Sequence, residues 1–444
     1  MKNGANIHGE ARALHARLAW VAGIAAILWA MTGLLHPIMM WTAPRAAVQT
    51  PPYNEASTEG LLAPGPALTA AGVGRADLVR LAGVHADRIW IARDGGRIKA
   101  VNAVTGAPAE GVLARHAEKL ARYYAGGTNA PLGSISEVRD FSIEYPAINR
   151  FLPVWRVEFA DRGRLAVYVD PMTDRLAAVT DERRRVLLSI FQNAHTLNFL
   201  SSVEPLRRLA ILLLVGSALA MSVAGTVMLA RRGAAKGARG AHRFIAWAAA
   251  PIVIMFTGTG LFHLFFAHAP APVAPVPFDV ARLDAVPSAG TAALLVASAD
   301  PVGATWRAET AHGAAYFDLD GAAAPLDDAA RARRIAGVDG TAAVTPVFMY
   351  TDEYGFALKR LPVLRVASAG GPVFVDPLEG LIAGEGAAGA GRLEAWTFDR
   401  LHKFGLLNGI GKRNRDYVSM IFAATILASA AFGLLLAWKR RRRS

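Results

Sequence analysis

Six histidines recur at matched positions along this chain, and imidazole side chains can bind a metal ion or transfer a proton. Two apolar stretches each begin and end with a histidine, and the stretches align with each other without a gap. These histidines are His15 and His36 in the first stretch, and His242 and His263 in the second. The pattern Phe-x-x-x-His-x-x-x-x-Leu adds His195 and His402. Matched histidines in two copies of one pattern indicate a shared chemical role.

Paired histidines on apolar helices are typical of b-type haem sites, because a neutral imidazole nitrogen binds the iron directly. In one helix, His15 and His36 lie about 31 Å apart along the axis and about 60° apart around it, so one ring approaches each membrane surface. Pairing the two copies predicts His15 beside His242 at the cytoplasmic end. It also predicts His36 beside His263 at the outer end. For any single histidine, the alternative is an interfacial residue with an ordinary hydrogen bond.

The outer surface is expected to carry four histidines, because the second pattern ends there as well. The four are His36, His195, His263 and His402. They could hold one haem with two spare residues or two haems, so the sequence leaves the number of haem b groups open. A Thr-Gly pair lies one turn inside each outer histidine, as Thr32-Gly33 and as Thr259-Gly260. Glycine there leaves room for a ring edge, and threonine can bond a ligand or its own backbone.

Four segments are long and apolar enough to span a bilayer core of about 30 Å. They are 17–41, 206–230, 243–267 and 416–438. Pro37 is predicted to end the first span, and Pro251 to kink the third. Small residues form rows that suit close packing against a helix or a porphyrin face, namely Gly216, Ala220 and Ala224 in the second span and Ala424 and Ala428 in the fourth.

The net charge of +13 is concentrated beside these spans. The basic clusters are Arg12 and Arg17, then Arg231, Arg232, Lys236, Arg239 and Arg243, and the tail from Lys439 to Arg443. The positive-inside rule therefore places 1–16, 231–242 and 439–444 in the cytoplasm. The segments 42–205 and 268–415 then lie on the opposite face, which is the periplasm in a bacterium. The same rule accounts for the charge without a nucleic-acid partner.

The chain has no cysteine, which excludes disulfides, thiolate-bound iron–sulfur clusters and covalent haem attachment. Both outer segments instead show strand–turn–strand patterns that end in Val-Asp-Pro. These patterns cover 150–157 with 167–171, and 359–366 with 373–377. Earlier hairpins are predicted at 89–101 and 304–318, and short amphipathic helices at 78–84 and 112–124. Each segment is therefore predicted to be an α+β domain with an antiparallel sheet.

Several further polar residues are predicted to be structural. Asp170 and Asp376 are expected to be turn residues rather than catalytic acids. His85, His116 and His312 are isolated and are expected to be surface or core residues. His268 follows the third span and could line the outer site.

The arrangement resembles the PepSY-associated transmembrane family. The resemblance rests on four spans, the Val-Asp-Pro hairpins and the histidines that flank the spans. Leu401-His402-x-x-x-Leu406 before the fourth span is similar to that family's histidine signature, and Ala194-His195-x-x-x-Phe199 is a looser copy. The resemblance implies a four-span membrane bundle with two extracytoplasmic PepSY-like domains in a tandem repeat.

This resemblance also implies a function, namely reduction of ferric siderophores at the bacterial inner membrane through b-type haem. It carries haem ligation most directly to His36, His195, His263 and His402, and then to His15 and His242. Oxygen-rich chelators bind the hard ferric ion better than the ferrous ion, so reduction releases iron. No flavin or nicotinamide site is visible, so the electrons are expected from a separate donor, either quinol or a cytoplasmic reductase.

Two alternatives follow from the same patterns. A PepSY-type binding or regulatory membrane protein would need the outer domains and not the histidines. A metal or haem transporter would use the histidines as relay ligands, with no need for a reductant.

Overall fold

The computed structural model describes residues 2–52, 55–84, 87–230, 236–267, 275–351, 353–355, 360–385 and 389–442. Some residues named above lie outside these ranges, namely His85, Arg231, Arg232, His268, Lys359 and Arg443. The chain forms two compact units. The first comprises Met1–Ala43, Arg183–Ala269 and Ala387–Ser444, and the second comprises Pro44–Glu182 and Pro270–Gly386.

Over the described residues, the α-helices are α1 (Lys2–Thr42), α2 (Pro64–Ala70), α3 (Val112–Tyr124), α4 (Glu182–His195), α5 (Glu204–Leu229), α6 (Gly237–Phe266), α7 (Asp328–Ala336), α8 (Gly389–Thr397) and α9 (Lys412–Arg441). A π-helical turn, Phe398–His402, continues α8.

Four helical segments in the described part of the chain are long and apolar enough to cross a membrane. They are Ile7–Thr42, Asn198–Leu229, Gly237–Phe266 and Lys412–Arg441. These segments are compatible with a multi-pass membrane protein, and they contain the four spans predicted from hydropathy almost entirely. In the first unit, α1 and α6 each pack against both α5 and α9.

The prediction that Pro37 ends the first span is wrong, because α1 continues to Thr42. A proline removes one backbone hydrogen bond, but apolar helices tolerate the loss where neighbouring groups satisfy the freed carbonyl. Pro251 likewise lies inside α6. Pro37 was therefore a poor boundary signal for α1, whereas the position of Pro251 inside α6 agrees with a residue of the span interior.

The second unit is built from antiparallel strands. They are β1 (Ala56–Ser57), β2 (Arg75–Ala76), β3 (Leu78–Val84), β4 (Asp87–Asp94), β5 (Arg97–Asn102), β6 (Leu132–Val138), β7 (Val154–Phe159), β8 (Ala166–Val169), β9 (Leu176–Thr180), β10 (Phe278–Asp279), β11 (Thr291–Ala292), β12 (Leu294–Ala299), β13 (Ala304–Thr310), β14 (Gly313–Phe317), β15 (Val344–Val347), β16 (Val363–Val366), β17 (Val373–Asp376) and β18 (Leu381–Glu385). The predicted hairpins are confirmed as β4–β5, β7–β8, β13–β14 and β16–β17.

Two four-stranded sheets each pack against one helix. The orders are β6-β7-β8-β9 and β15-β16-β17-β18. Leu120 and Tyr124 of α3 pack on Val157 and Val167 of the first sheet. In the second, Ala332 and Ile335 of α7 pack on Val366 and Val375. The predicted helix at 112–124 is thus confirmed as α3, and the apolar face of each helix covers one sheet.

A six-stranded sheet combines both predicted outer segments, in the order β14-β13-β12-β3-β4-β5. Trp90 of β4 and Trp306 of β13 lie in its core with ring centroids 5.8 Å apart. Whereas the sequence patterns describe the two segments as separate domains, the structure gathers both into one compact unit.

The predicted helix at 78–84 is wrong, because these residues form β3 between β4 and β12. Leu78 packs into one buried cluster, while Val79 and Leu81 pack into another. A strand that is buried on both faces has no alternation of apolar and polar residues, so its pattern resembles that of a buried helix.

Asp170 and Asp376 are turn residues, as predicted. The Asp170 carboxylate accepts the Met172 N–H at 2.9 Å, and Asp376 accepts the Leu378 N–H at 3.0 Å. Two of the three isolated histidines also follow the prediction of core or surface positions. His116 is buried, with Nε2 at 2.7 Å from Asp174 Oδ1, and His312 is exposed.

Candidate histidine centres

The six matched histidines lie in the first unit and form two sets. We call His15 and His242 the inner pair. His36, His195, His263 and His402 are the outer group. The names follow the membrane side on which the sequence analysis expects each set.

In the inner pair, each histidine reaches across to a neighbouring helix. The ring centroids of His15 and His242 lie 6.4 Å apart, with an angle of 52° between the rings. A metal–imidazole bond is about 2.0 Å long and the ring centroid lies about 1.2 Å behind the nitrogen, so two imidazoles on opposite sides of one metal have centroids about 6.4 Å apart. The observed separation therefore fits a single metal held between the two rings.

Hydrogen bonds fix the same tautomer in both rings of the inner pair. His15 Nδ1 lies 3.1 Å from the Met221 carbonyl of α5, and His242 Nδ1 lies 3.1 Å from the Ser429 carbonyl of α9. A carbonyl only accepts, so each Nδ1 carries the proton and donates it. The lone pair of a neutral ring is then on Nε2, and this arrangement is typical of metal-binding histidines.

A glycine of the partner helix lies against each inner ring. A Cβ on Gly225 would be 3.4 Å from His15 Cε1, and a Cβ on Gly433 would be 3.3 Å from His242 Cε1. Each glycine follows the bonded carbonyl by four residues. Neither glycine was predicted to lie at the site, although an alignment of the second span with the fourth would have paired them.

Both inner histidines line a cavity of about 1530 Å³. Cationic side chains around it include Arg12, Arg17, Lys236, Arg239 and Arg243, and the described lining contains no aspartate or glutamate. A planar dianionic group with an apolar body is therefore compatible with the volume and the charge of the cavity.

The predicted small-residue row in the second span lies elsewhere. Gly216, Ala220 and Ala224 line a separate groove with Ile7 and Leu14 of α1.

In the outer group, two histidines are held by the predicted Thr-Gly pairs. Thr32 Oγ1 donates to the Leu28 carbonyl at 2.7 Å and lies 2.9 Å from His195 Nδ1. Because the threonine proton is used on the backbone, His195 donates from Nδ1 and keeps a lone pair on Nε2. A Cβ on Gly33 would lie 3.9 Å from His195 Cε1.

His402 repeats this arrangement on α6. Thr259 Oγ1 donates to the Met255 carbonyl at 2.7 Å and lies 3.0 Å from His402 Nδ1. A Cβ on Gly260 would be 3.5 Å from His402 Cε1. The ring edge for which the glycines leave room is therefore that of an imidazole, and each threonine bonds both its own backbone and a histidine.

Burial keeps His195 and His402 neutral. Burial, and then the nearby His36, lower the pKa of His195 to about 4. Burial, followed by His195 and His263, lowers the pKa of His402 to about 3. Both rings therefore offer an unprotonated nitrogen at neutral pH, which metal binding requires.

The other two outer histidines have different surroundings. His36 lies near Phe191, with ring centroids 6.3 Å apart and tilted by 56°. His263 stacks on Phe398 at 3.8 Å, and its Nδ1 bonds the Glu394 carboxylate. Neither has a Thr-Gly cradle. The sequence analysis did not identify Glu394, because the matched position of the first copy is Leu187 and a repeat comparison reveals only shared residues.

The predicted partners His15 and His242 lie together, whereas the closest ring neighbours of His36 and His263 are phenylalanines. Within the described residues, there is no cluster of three or more histidine, aspartate or glutamate side chains that could hold a bare metal ion. No model of a known protein family matches this chain, and no curated protein matches it either. Function is therefore inferred from the geometry of these side chains.

Proposed function

We propose that this chain is a bacterial inner-membrane b-type haem protein that reduces ferric siderophores on the periplasmic side, with electrons from a separate quinol or cytoplasmic donor. The observation that carries the proposal is the inner pair. Two imidazoles at the separation expected for one shared metal line a cavity, and both present Nε2. The resemblance to the PepSY-associated transmembrane family agrees with this reading.

Two pairs of histidines in the bundle are candidates to hold haem. His15 and His242 would hold one haem, and the cationic side chains around their cavity suit its propionates. His195 and His402 would hold a second, because only these two outer histidines have the Thr-Gly cradle. His36 and His263 are then spare. Bound haem b supplies one-electron transfer at a potential set by its ligands and surroundings.

The protein contributes orientation and tautomer. Backbone carbonyls at the inner pair, and threonine hydroxyls at His195 and His402, hold the imidazoles with Nε2 available. Glycines beside the rings let the imidazoles approach the helices closely. Donor bonds from Nδ1 also make the ligating nitrogen more basic, which favours the ferric state of a bound iron.

A reduced-minus-oxidised optical spectrum of the detergent-purified chain tests the proposal. We expect b-type haem bands, partial loss of haem in the His15→Ala and His242→Ala variants, and full retention in His312→Ala, which changes an exposed histidine of the second unit. Wild-type protein expressed with ample haem supply that shows no haem by pyridine haemochrome would contradict the proposal.

A further inference from the structure

We propose that His263 and Glu394 form a proton-donating pair for the ferric chelate, and that His263 is not an iron ligand. This proposal rests on the proposed function and assigns a role to a histidine that the haem sites leave spare. His263 ends the third span on the outer side, where the substrate is expected.

The contact between the two side chains defines a proton donor. Glu394 is a carboxylate and only accepts, so His263 donates from Nδ1 to Oε1. The Glu394 side chain is 7% exposed, whereas that of His263 is 41% exposed. Because Nδ1 is occupied by the carboxylate, Nε2 of the exposed ring is the nitrogen that can pass a proton to a bound molecule.

Ring stacking places this pair next to the outer haem ligand. His263 stacks on Phe398 with centroids 3.8 Å apart, and Phe398 stacks on His402 at 4.7 Å. The angles between neighbouring planes are 13° and 18°. One aromatic ring thus separates the proton donor from the histidine that we assign to the iron.

The first copy lacks this pair. Leu187 stands four residues before Phe191, where Glu394 stands four residues before Phe398. His36 lies farther from Phe191, and the two rings are tilted. The Thr-Gly cradles occur in both copies, so cofactor binding is shared while the carboxylate is particular to the second copy. A function at one place on the outer surface, such as substrate protonation, agrees with this asymmetry.

The chemistry requires one electron for each iron released and one proton for each anionic ligand oxygen released. Haem b, when bound, would supply the electron that converts the substrate iron(III) to iron(II). As an iron–oxygen bond breaks, its electron pair stays on the chelator oxygen, which takes the Nε2 proton of His263. The neutral ring keeps its Nδ1 proton, which stays hydrogen-bonded to Glu394, and Nε2 takes up a new proton from water.

Other ionisable groups surround the pair on the packed elements. Besides Glu394 on α8, the π-turn carries Asp399, His402 and Lys403. Lys403 lies 4.0 Å from Asp399, and burial keeps His402 neutral. Arg392 of α8 and Arg400 of the π-helical turn are also charged, and the Glu394 carboxylate bonds His263 directly.

Parallel assays with two electron acceptors distinguish a defect in proton delivery from a defect in electron delivery. Iron(III) acetohydroxamate needs a proton when it releases iron, whereas ferricyanide takes an electron without one. With full-length protein in detergent, we expect Glu394→Gln and His263→Gln to slow acetohydroxamate reduction on the order of 100-fold, the usual contribution of a positioned acid. Ferricyanide reduction should keep the wild-type rate. Glu394→Asp should recover part of the lost rate.

Two readouts do not depend on turnover. Haem content and the optical spectrum should be unchanged in His263→Gln, because His263 binds no iron. Leu187→Gln is the matched control at the same position of the first copy, and it should reduce both acceptors at wild-type rates.

Loss of haem in His263→Gln would overturn the proposal, because it would make His263 a ligand. An equal fall with both acceptors, or an unchanged rate with acetohydroxamate, would overturn it as well. Failure of the proposed function looks different, because wild-type protein would then contain no haem or reduce neither acceptor.

Discussion

At the scale of single residues, the hydroxyls of Thr32 and Thr259 decide which nitrogen of a histidine is available. Each hydroxyl gives its proton to a backbone carbonyl one turn earlier and accepts one from an imidazole. The Thr-Gly pairs were predicted from the sequence, because both copies share them. Their partners could not be predicted, since His195 is far from Thr32 in sequence and only the fold brings them together.

Replacing Thr32 by valine keeps the shape of the side chain and removes the acceptor for His195 Nδ1. A buried donor without a partner costs about 1–3 kcal/mol. We expect the Thr32→Val variant to release its outer haem faster, measured by transfer to excess apomyoglobin.

Thr257 provides the matched control for this substitution. Its hydroxyl donates to the Val253 carbonyl at 2.6 Å in α6 and has no histidine partner in the described structure. The Thr257→Val variant should lose haem at the wild-type rate. Equal acceleration in both variants would mean that the threonines act through helix packing alone.

At the scale of elements, each histidine of the inner pair lies on one helix and donates a hydrogen bond to a backbone carbonyl of an adjacent helix. His15 of α1 uses α5, and His242 of α6 uses α9. The four helices were predictable, because their length and hydropathy are strong signals. The roles of Gly225 and Gly433 were not predictable. A lone glycine in an apolar helix is common, and only the imidazole ring on the facing helix gives these glycines a role.

A leucine at Gly433 should displace the His242 ring, because even a Cβ there would be 3.3 Å from Cε1. Changes that misorient a ligand typically weaken metal binding by about 10- to 100-fold. We expect Gly433→Leu to lose haem from the inner pair, measured by titration of haem-depleted protein, with unchanged helical circular dichroism.

Gly258 of α6 is the control, because a Cβ there meets no atom within 4 Å. Gly258→Leu should bind haem as wild type does. Full haem affinity in Gly433→Leu would show that the ring of His242 does not need its present position.

At the scale of the whole molecule, buried charges stabilise the second unit at the two Asp-Pro turns. Arg175 pairs with Asp376 and, at 3.4 Å, with Glu379, while Arg93 pairs with Glu379 at 2.9 Å. Asp376 and Glu379 are fully buried. The turns themselves were predictable from Asp-Pro, but the ion pairs were not, because they join residues from the two predicted outer segments.

Removing Arg175 leaves buried carboxylates without part of their compensation. We expect Arg175→Ala to destabilise the second unit by about 3–5 kcal/mol, the usual effect of breaking a buried pair. Denaturant unfolding of the full chain, followed by tryptophan fluorescence, measures this change. A loss below about 1 kcal/mol, typical of surface pairs, would contradict the burial of this network.

The same network sets a pH dependence. Burial opposes the charge of Glu379, but Arg360, Arg93 and Arg175 outweigh it and hold its pKa below the ordinary 4.5. A lowered carboxyl pKa stabilises the fold above the ordinary value, and this stability is lost as the pH falls below it. The denaturant concentration at the unfolding midpoint of wild-type protein should therefore decrease as the pH is lowered below about 4.5. The decrease should be less steep in Arg175→Ala.

The six-stranded sheet has a consequence for biosynthesis. β3, β4 and β5 end at Asn102, but the neighbour of β3 is β12, which begins at Leu294. Two apolar helices must be made between these points. At about 5 to 20 residues per second, synthesis from Asn102 to Leu294 takes roughly 10 to 40 s. During this time the edge of β3 has no partner strand. A ribosome-bound chain that stops before Leu294 should therefore expose this edge to proteases and to chaperones.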